Sequence, residues 1–170
     1  IEAKKHAFAD REMYLADRES MSVSCEALLS EDRVAGMRDG LRTGRAAVNV
    51  ATVPVPGDTE YIAVADGWGN RVSFIQSLFM GFGSGIVVED TGIVLQNRGH
   101  MFNLDPGHPN CLGPHKRCAH TLMPGMVCKE GKPVLVVGLK GGHVQAQVQS
   151  QIIANVVDFD MTPQEALAAH

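Results

Sequence analysis

The sequence predicts a layered fold of mixed helix and strand, of the α/β (α+β) class, and three observations lead to it. Residues 1–45 carry a dense mixture of acidic and basic side chains in a helical pattern. The middle of the chain contains short apolar segments separated by glycine-containing turns, which is typical of antiparallel hairpins. Residues 143–158 then return to a helical pattern, with apolar side chains four apart. Helices that flank strands predict layers of both kinds.

The first part of the chain is predicted to be helical and then extended. One helix fits residues 2–17, and a second begins after Ser30, whose position before Glu31 and Asp32 is typical of an N-cap. The segment AAVNVATVPVPGD, residues 46–58, has two prolines, one glycine and no charge before its last residue. We therefore expect an extended linker there.

The central part of the chain reads as strands joined by tight turns. EYIAVAD and RVSFIQS lie on either side of the turn DGWGN, which predicts a hairpin. The glycine-rich bend GFGSG follows, and two further strands are predicted near residues 85–89 and 92–96.

The last part of the chain combines an irregular stretch, a hairpin and a helix. Residues 97–120 are rich in Pro, Gly, His and Asn and predict irregular structure. VCKEGKPVLVVG predicts a second hairpin, and a glycine-containing bend leads into the helix over 143–158. Thr162, with Pro and Glu after it, marks another helix start near the end. Because the sequence opens inside a helical pattern and stops after this signal, we expect a piece of a longer chain.

Composition excludes several classes of function. With 170 residues the chain is long enough for one domain-sized core. The net charge of -4 and the pI near 5.9 argue against a nucleic-acid partner. No apolar run approaches the roughly 18 residues of a membrane span, so no membrane partner is expected. Four irregularly spaced cysteines predict reduced thiols, which favours a cytoplasmic over a periplasmic setting.

Thr59 is the first candidate for a chemical role, because it opens a strand directly after the proline-containing linker. A threonine is also common at a strand start for structural reasons, since β-branched side chains favour strands. If Thr59 became a chain terminus, its own α-amine, with a pKa of about 7.7, would suit activation of the hydroxyl at neutral pH. Spacing alone leaves both interpretations open.

Five longer motifs carry a family resemblance. They are DTEYIAVADGWGN, VSFIQS, GFGSGIVVEDTGIVLQNRG, GPHKRCAHTLMP and GLKGGH. In order and spacing they resemble the gamma-glutamyltransferase (gamma-glutamyl transpeptidase) family, from residue 58 to the end of the chain. FADR and YLAD in the first predicted helix are similar to the end of that family's large subunit.

The resemblance implies an architecture and a processing event. The fold would be part of the αββα four-layer sandwich of the N-terminal nucleophile hydrolases. Such enzymes are made as a precursor that cuts itself into a large and a small subunit. Residues 1–58 would be the C-terminal part of the large subunit, and residues 59–170 the N-terminal part of the small, catalytic subunit. The remainder of both subunits would be the partners of this chain, and the resemblance implies no cofactor and no metal.

Thr59 matches the family's nucleophile, so the resemblance implies self-cleavage between Asp58 and Thr59. In the precursor the Thr59 hydroxyl would attack the Asp58 carbonyl, and water would release the ester. In the mature enzyme the same hydroxyl would attack a small-molecule γ-acyl amide, and the acyl group would pass to water or to an amine acceptor. Ser77 stands where the family has a second threonine whose hydroxyl contacts the nucleophile, although a polar residue on a strand is also ordinary.

Gly141 and Gly142 match the paired glycines whose backbone N–H groups form the oxyanion hole. Glycine suits this task because the donors must come within about 2.7–3.1 Å of the developing oxyanion. Without the resemblance, the same pair would be an ordinary turn into a helix.

The substrate-binding positions depart from the family pattern. Phe79, Arg98 and Met101 stand where an asparagine, a glutamine and an aspartate hold the substrate's α-amino group. His120 and Thr121 stand where two serines hold its α-carboxylate. A guanidinium does not receive an ammonium group as an amide oxygen does.

This departure is similar to family members related to cephalosporin (glutaryl) acylases, whose acyl group has no α-amine. We therefore expect an acyl group of the γ-glutamyl or glutaryl type that carries a carboxylate. Arg98 or His120 would meet that carboxylate, next to Thr121.

Two other classes of function stay open at this point. A zinc-binding module could use Cys111, His115, Cys118 and His120, although their spacing matches no common zinc finger. A non-catalytic binding module is the other alternative. The presence of the candidate nucleophile, its helper hydroxyl and both glycines argues against it.

Overall fold

The structure is a computed structural model that describes residues 2–41, 44, 46 and 58–169. The described helices are α1 (Glu2–Tyr14), α2 (Cys25–Leu28), α3 (Glu31–Gly40), α4 (Gln145–Val157) and α5 (Pro163–Ala168). The described strands are β1 (Asp58–Ala65), β2 (Arg71–Phe79), β3 (Val87–Val88), β4 (Ile93–Val94), β5 (Gly125–Lys129) and β6 (Lys132–Val137). Helix and strand are both present, as predicted. Most of the predicted linker lies outside the described residues.

The N-terminal helices differ from the prediction at their ends. Helix α1 stops at Tyr14 rather than near residue 17, because Asp17 has extended backbone angles and precedes a 3₁₀ turn. Ser30 is the N-cap of α3 as expected, but its hydroxyl donates to the Ala27 carbonyl instead of accepting from the helix. The short helix α2 was not predicted, although Ser24 caps it by accepting from the Ala27 N–H at 3.1 Å.

Strands β1 and β2 form the predicted hairpin, with Thr59 opposite Ser77 and Ala65 opposite Arg71. The connecting turn is organised by Asp66, whose carboxylate accepts the N–H groups of Trp68 and Asn70 at 3.0 and 2.9 Å. The Asn70 side chain and these N–H groups hold the pKa of Asp66 below its ordinary value. The turn residues that predicted the hairpin therefore also set its register.

Strands β3 and β4 are shorter than predicted, with two residues each. Hydrogen bonds continue beyond the ladder, since Ser84 N–H donates to the Leu95 carbonyl and Leu95 N–H donates to the Ile86 carbonyl, both at 2.8 Å. Gly85 lies between these partners at a φ of +72°, and this left-handed residue bends the chain out of the ladder.

The second half of the chain follows the prediction more closely. Strands β5 and β6 make the expected antiparallel hairpin, and helix α4 follows a single 3₁₀ turn, Gly142–Val144. Helix α5 begins with a capping box, because the Thr162 hydroxyl accepts from the Glu165 N–H while the Glu165 carboxylate accepts from the Thr162 N–H.

The chain divides into two compact units. One contains Ile1–Val53 and Gly99–His120, and the other contains Pro54–Arg98 and Thr121–His170. Phe8 is buried in the first unit, and Phe79, Val137 and Ala166 are buried in the second. The subunit boundary after residue 58 is a separate matter and stays a prediction. None of the described helices is long and apolar enough to cross a bilayer.

Candidate active site

Thr59 and Ser77 meet at one end of the first hairpin. They are direct partners in the antiparallel register, next to an irregularity between Asp58 and Thr59. The Thr59 Oγ1 donates to the Ser77 Oγ at 2.9 Å, and Thr59 is 3% exposed. The β pairing therefore holds two hydroxyl groups together in a largely buried position, and their role as nucleophile and helper stays what the family resemblance implies.

Ser77 also fixes the end of its own strand. Its Oγ accepts the Phe79 N–H at 2.9 Å, so one oxygen receives hydrogen bonds from both Thr59 and Phe79. Phe79 is buried and has a φ of +77°, which is a costly conformation for a bulky side chain. The Ser77 contact helps to hold this strained turn directly beside the candidate nucleophile.

Arg98 and Thr121 form a buried pair that contacts Phe79. The Arg98 Nη1 donates to the Thr121 Oγ1 at 2.8 Å, and its guanidinium lies 4.7 Å from the centre of the Phe79 ring. Arg98 is 3% exposed and Thr121 is also buried. The structure thus brings together three of the positions that depart from the family pattern. His120 is exposed and Met101 is half-buried, and both belong to the first unit.

Gly141 and Gly142 occupy backbone conformations that only glycine adopts readily. Their φ values are +125° and +56°, and a Cβ on Gly141 would lie 2.7 Å from the Val144 side chain. Gly142 is buried. A residue with a side chain would therefore be strained at either position.

Gln145 connects the glycine segment to Thr121. It is fully buried, and its side-chain amide donates to the carbonyls of Leu139 at 3.0 Å and Thr121 at 3.3 Å. The sequence did not single out Gln145, because the same helix carries other glutamines, among them Gln147 and Gln149.

The paired hydroxyls border an open cleft of about 630 Å³ in the second unit. The lining residues are Thr59, Glu60, Gln76, Ser77, Leu78, Ile93, Val94, Leu95 and Gln96. Part of the wall is therefore built by β1 and β2, and part by β4 and the residues after it. The cleft gives a small molecule a route to the otherwise buried Thr59.

The crowded stretch HPNCLGPHKRCAH has a structural role in the first unit. Its Asn110 is buried, donates to the Met101 carbonyl at 2.7 Å and accepts the Ala119 N–H at 3.0 Å. No group of three or more His, Cys, Asp or Glu side chains that could hold a metal lies among the described residues. The zinc alternative therefore finds no geometric support in the part of the chain that the structure describes.

Comparison with known proteins identifies the family of the chain. The model of the gamma-glutamyltranspeptidase family matches residues 1–170. The chain is 45% identical over 168 residues to a glutathione hydrolase-like proenzyme of Bacillus subtilis, YwrD, and 37% identical to an oxamate amidohydrolase proenzyme of Klebsiella pneumoniae. Each match covers 99% of this chain and 32% of the relative.

A solved structure gives the same result. The crystal structure of cephalosporin acylase from Bacillus halodurans superimposes with a TM-score of 0.85 at 44% identity, covering 99% of this chain and 31% of the other. The chain thus spans about a third of the length of the proteins that it matches, and the predicted resemblance and fold class are both confirmed. The chain belongs to the gamma-glutamyltranspeptidase family and carries part of its N-terminal nucleophile hydrolase fold.

Proposed function

We propose that the whole protein is a self-processing amidohydrolase or acyltransferase whose nucleophile is Thr59. The observation that carries the proposal is the 2.9 Å hydrogen bond from the Thr59 Oγ1 to the Ser77 Oγ at the border of the cleft. Three relatives support the reaction class, since their names describe hydrolases or acylases that cleave amide bonds. The relatives named as proenzymes support the processing step.

The first reaction is the maturation of the precursor. The Thr59 oxygen attacks the Asp58 carbonyl carbon, the Asp58–Thr59 C–N bond breaks, and the acyl group moves from nitrogen to oxygen. Water then hydrolyses the ester, which leaves a carboxylate on Asp58 and a free α-amine on Thr59. In this proposal residues 1–58 end the large subunit and residues 59–170 begin the small one, and the remainder of both subunits completes the enzyme.

The second reaction uses the amine that the first one releases. The Thr59 α-amine takes the hydroxyl proton, the oxygen attacks the amide carbonyl, and the N–H groups of Gly141 and Gly142 stabilise the oxyanion. The departing amine receives the proton, and an acyl ester on Thr59 remains. Water or an amine acceptor then takes the acyl group. Ser77 orients the nucleophile throughout, because its oxygen is fixed by the Phe79 N–H.

The intact mass of the full-length protein tests the proposal. We expect two subunits that divide before Thr59, and amidase activity that depends on their formation. Thr59→Ala should give one uncut chain without activity, whereas Thr59→Ser, which keeps a hydroxyl, should still be cut. An uncut but active wild-type protein, or a cut Thr59→Ala variant, would overturn the assignment.

We further propose that the acyl group carries a carboxylate and no α-amine. Arg98 places a buried positive charge beside Phe79 and Thr121, and a charge in such a low-dielectric position repels an ammonium group and attracts a carboxylate. One relative supports this class by name, because oxamate bears a carboxylate next to its amide and has no α-amine.

A further inference from the structure

The segment before the two glycines, residues 138–140, contacts the residues that directly follow Thr59. From these contacts we infer that Tyr61 is a positioning residue, which sets the place of the Gly141 and Gly142 N–H groups relative to the nucleophile. This inference rests on the proposed function, because it assigns those N–H groups to the oxyanion.

The central contact is the Tyr61 ring against Gly138. A Cβ on Gly138 would lie 2.3, 2.5 and 2.8 Å from three atoms of that ring, so the ring occupies the space that any other residue's side chain would need. The ring itself is fixed at its far end, where the Tyr61 hydroxyl and the Ser73 Oγ are 2.9 Å apart. The Tyr61 ring thus packs against the backbone of Gly138 in a fixed position.

Two weaker contacts hold the following residues of the segment. The Leu139 carbonyl accepts from the Gln145 side chain at 3.0 Å, and the Lys140 Nζ lies 3.9 Å from the Glu60 Oε1. The Glu60–Lys140 pair is exposed and contributes little energy by itself. The sequence by itself points to no role for Glu60 or Tyr61.

These contacts matter because of the precision that an oxyanion hole requires. Thr59 and Tyr61 lie on the same strand two residues apart, so their side chains point to the same face of β1. A displacement of about 1 Å in a reacting geometry can reduce a rate by roughly a hundredfold. Since glycines have no side chain to pack, the position of their N–H groups must be set by the residues around them, and Tyr61 packs on Gly138, three residues before Gly141.

Steady-state kinetics on the full-length, processed enzyme test the inference. We expect Tyr61→Leu to lower kcat by about tenfold to a hundredfold with little change in KM, because the substrate still binds while the oxyanion donors are misplaced. Tyr61→Phe keeps the ring and should retain most of the activity. Trp68→Leu, which removes an exposed aromatic ring from the other end of the same hairpin, is the matched control.

A second measurement separates misplacement of the donors from loss of folded protein. Inhibition by an aldehyde analogue of the acyl group, which forms a tetrahedral adduct on Thr59, should weaken in Tyr61→Leu by the same factor as kcat/KM. Rates are expressed per active site titrated. Gly138→Ala should act in the same direction, since its Cβ must displace the ring or the segment, and it serves if Tyr61→Leu does not fold.

An unchanged kcat and unchanged aldehyde affinity in the folded variants would overturn the role of Tyr61. The proposed function would survive that outcome as long as Thr59→Ala blocks cleavage and activity. Conversely, an active Thr59→Ala variant would remove the proposed function regardless of what Tyr61 variants do.

Discussion

Arg98 is the residue on which the proposed acyl specificity depends. Its guanidinium is 3% exposed, stacks on the Phe79 ring and donates to Thr121, so its charge is held in one place in a solvent-poor environment. Charges in such an environment interact far more strongly than charges in water. In the proposed function, this fixed cation beside Phe79 discriminates by sign between the acyl groups that approach it.

Paired anilide substrates test this discrimination in the full-length enzyme. We expect kcat/KM to be higher for glutaryl anilide than for gamma-glutamyl anilide, because only the second substrate brings an ammonium group toward Arg98. Arg98→Gln should reduce that ratio by at least about tenfold, which corresponds to roughly 1.4 kcal/mol. A clear wild-type preference for the gamma-glutamyl substrate would contradict the proposed acyl class.

The control for this experiment is Arg71→Gln. Arg71 begins β2 at the opposite end of the hairpin, where its side chain donates to the Asn70 carbonyl. Arg71→Gln removes the same charge from the opposite end of the hairpin and should leave the ratio of the two kcat/KM values unaltered. An equal change of this ratio in Arg98→Gln and Arg71→Gln would mean that net charge alone controls it.

At the scale of elements, polar contacts in the first unit join the irregular stretch to the end of helix α1 and the residues after it. The Asp17 carboxylate accepts the Arg117 N–H at 2.8 Å, and the Glu12 carbonyl lies 2.8 Å from the His108 Nε2. The His108 Nδ1 accepts the Asn110 N–H at 3.0 Å. These contacts attach the irregular stretch to the region at and after the end of α1, which explains its density of polar side chains without a metal.

Asp17 gives a pH-dependent prediction at this scale. The Arg117 N–H is the main cause that lowers the pKa of Asp17 from its ordinary 3.8, so the native contact prefers the ionised carboxylate. Its stabilising effect is therefore complete above that ordinary value and is lost as the pH falls through the lowered pKa. We expect amide protection at Arg117, measured by hydrogen exchange, to be steady near neutral pH and to fall in acid.

Substitution provides the comparison for that measurement. Asp17→Ala should reduce protection of the Arg117 amide already at pH 7, because the acceptor is gone. Asp158→Ala, at the exposed C-terminal end of α4, should leave that amide unaffected. Equal protection in the wild type and in Asp17→Ala would show that the contact does not hold the stretch in place.

At the scale of the whole molecule, the first hairpin has one apolar face that the described residues leave partly exposed. Ile62 lies opposite Phe74, and Val64 lies opposite Val72, so four apolar side chains share this face. Each of them is about half exposed. Because this chain spans about a third of the length of its relatives, we propose that the remainder of the protein covers the face.

Stability of the full-length protein tests this proposal. Phe74 is 47% exposed here, and Phe74→Thr should lower the free energy of unfolding by about 3 kcal/mol if other parts of the protein bury the ring. Trp68, at the tip of the same hairpin, is 91% exposed, and Trp68→Thr should change stability by less than about 0.5 kcal/mol. Similar small effects in both variants, measured by denaturant unfolding, would mean that the face stays in solvent.

Much of the fold could be predicted because its signals are local. The turn residues of DGWGN set the β1–β2 hairpin, the Thr162 and Glu165 pair starts α5, and the four-residue period marks α4. The predicted ends of helices and strands were less accurate. Helix α1 ends at Tyr14, before Asp17 and its contact with Arg117 far along the chain, and β3 and β4 have only two residues each, with Gly85 at a positive φ just before β3.

The sequence by itself determined the family through its motifs, and that resemblance singled out Thr59 and Ser77 as candidate nucleophile and partner, which the hairpin register places opposite each other. Only the tertiary structure decided that Arg98 joins Phe79 and Thr121, and that Tyr61 supports the segment at Gly138. The physical reason is the range of the interactions. Turns and strand alternation depend on residues adjacent in the chain, whereas these contacts depend on where separate elements are packed in space.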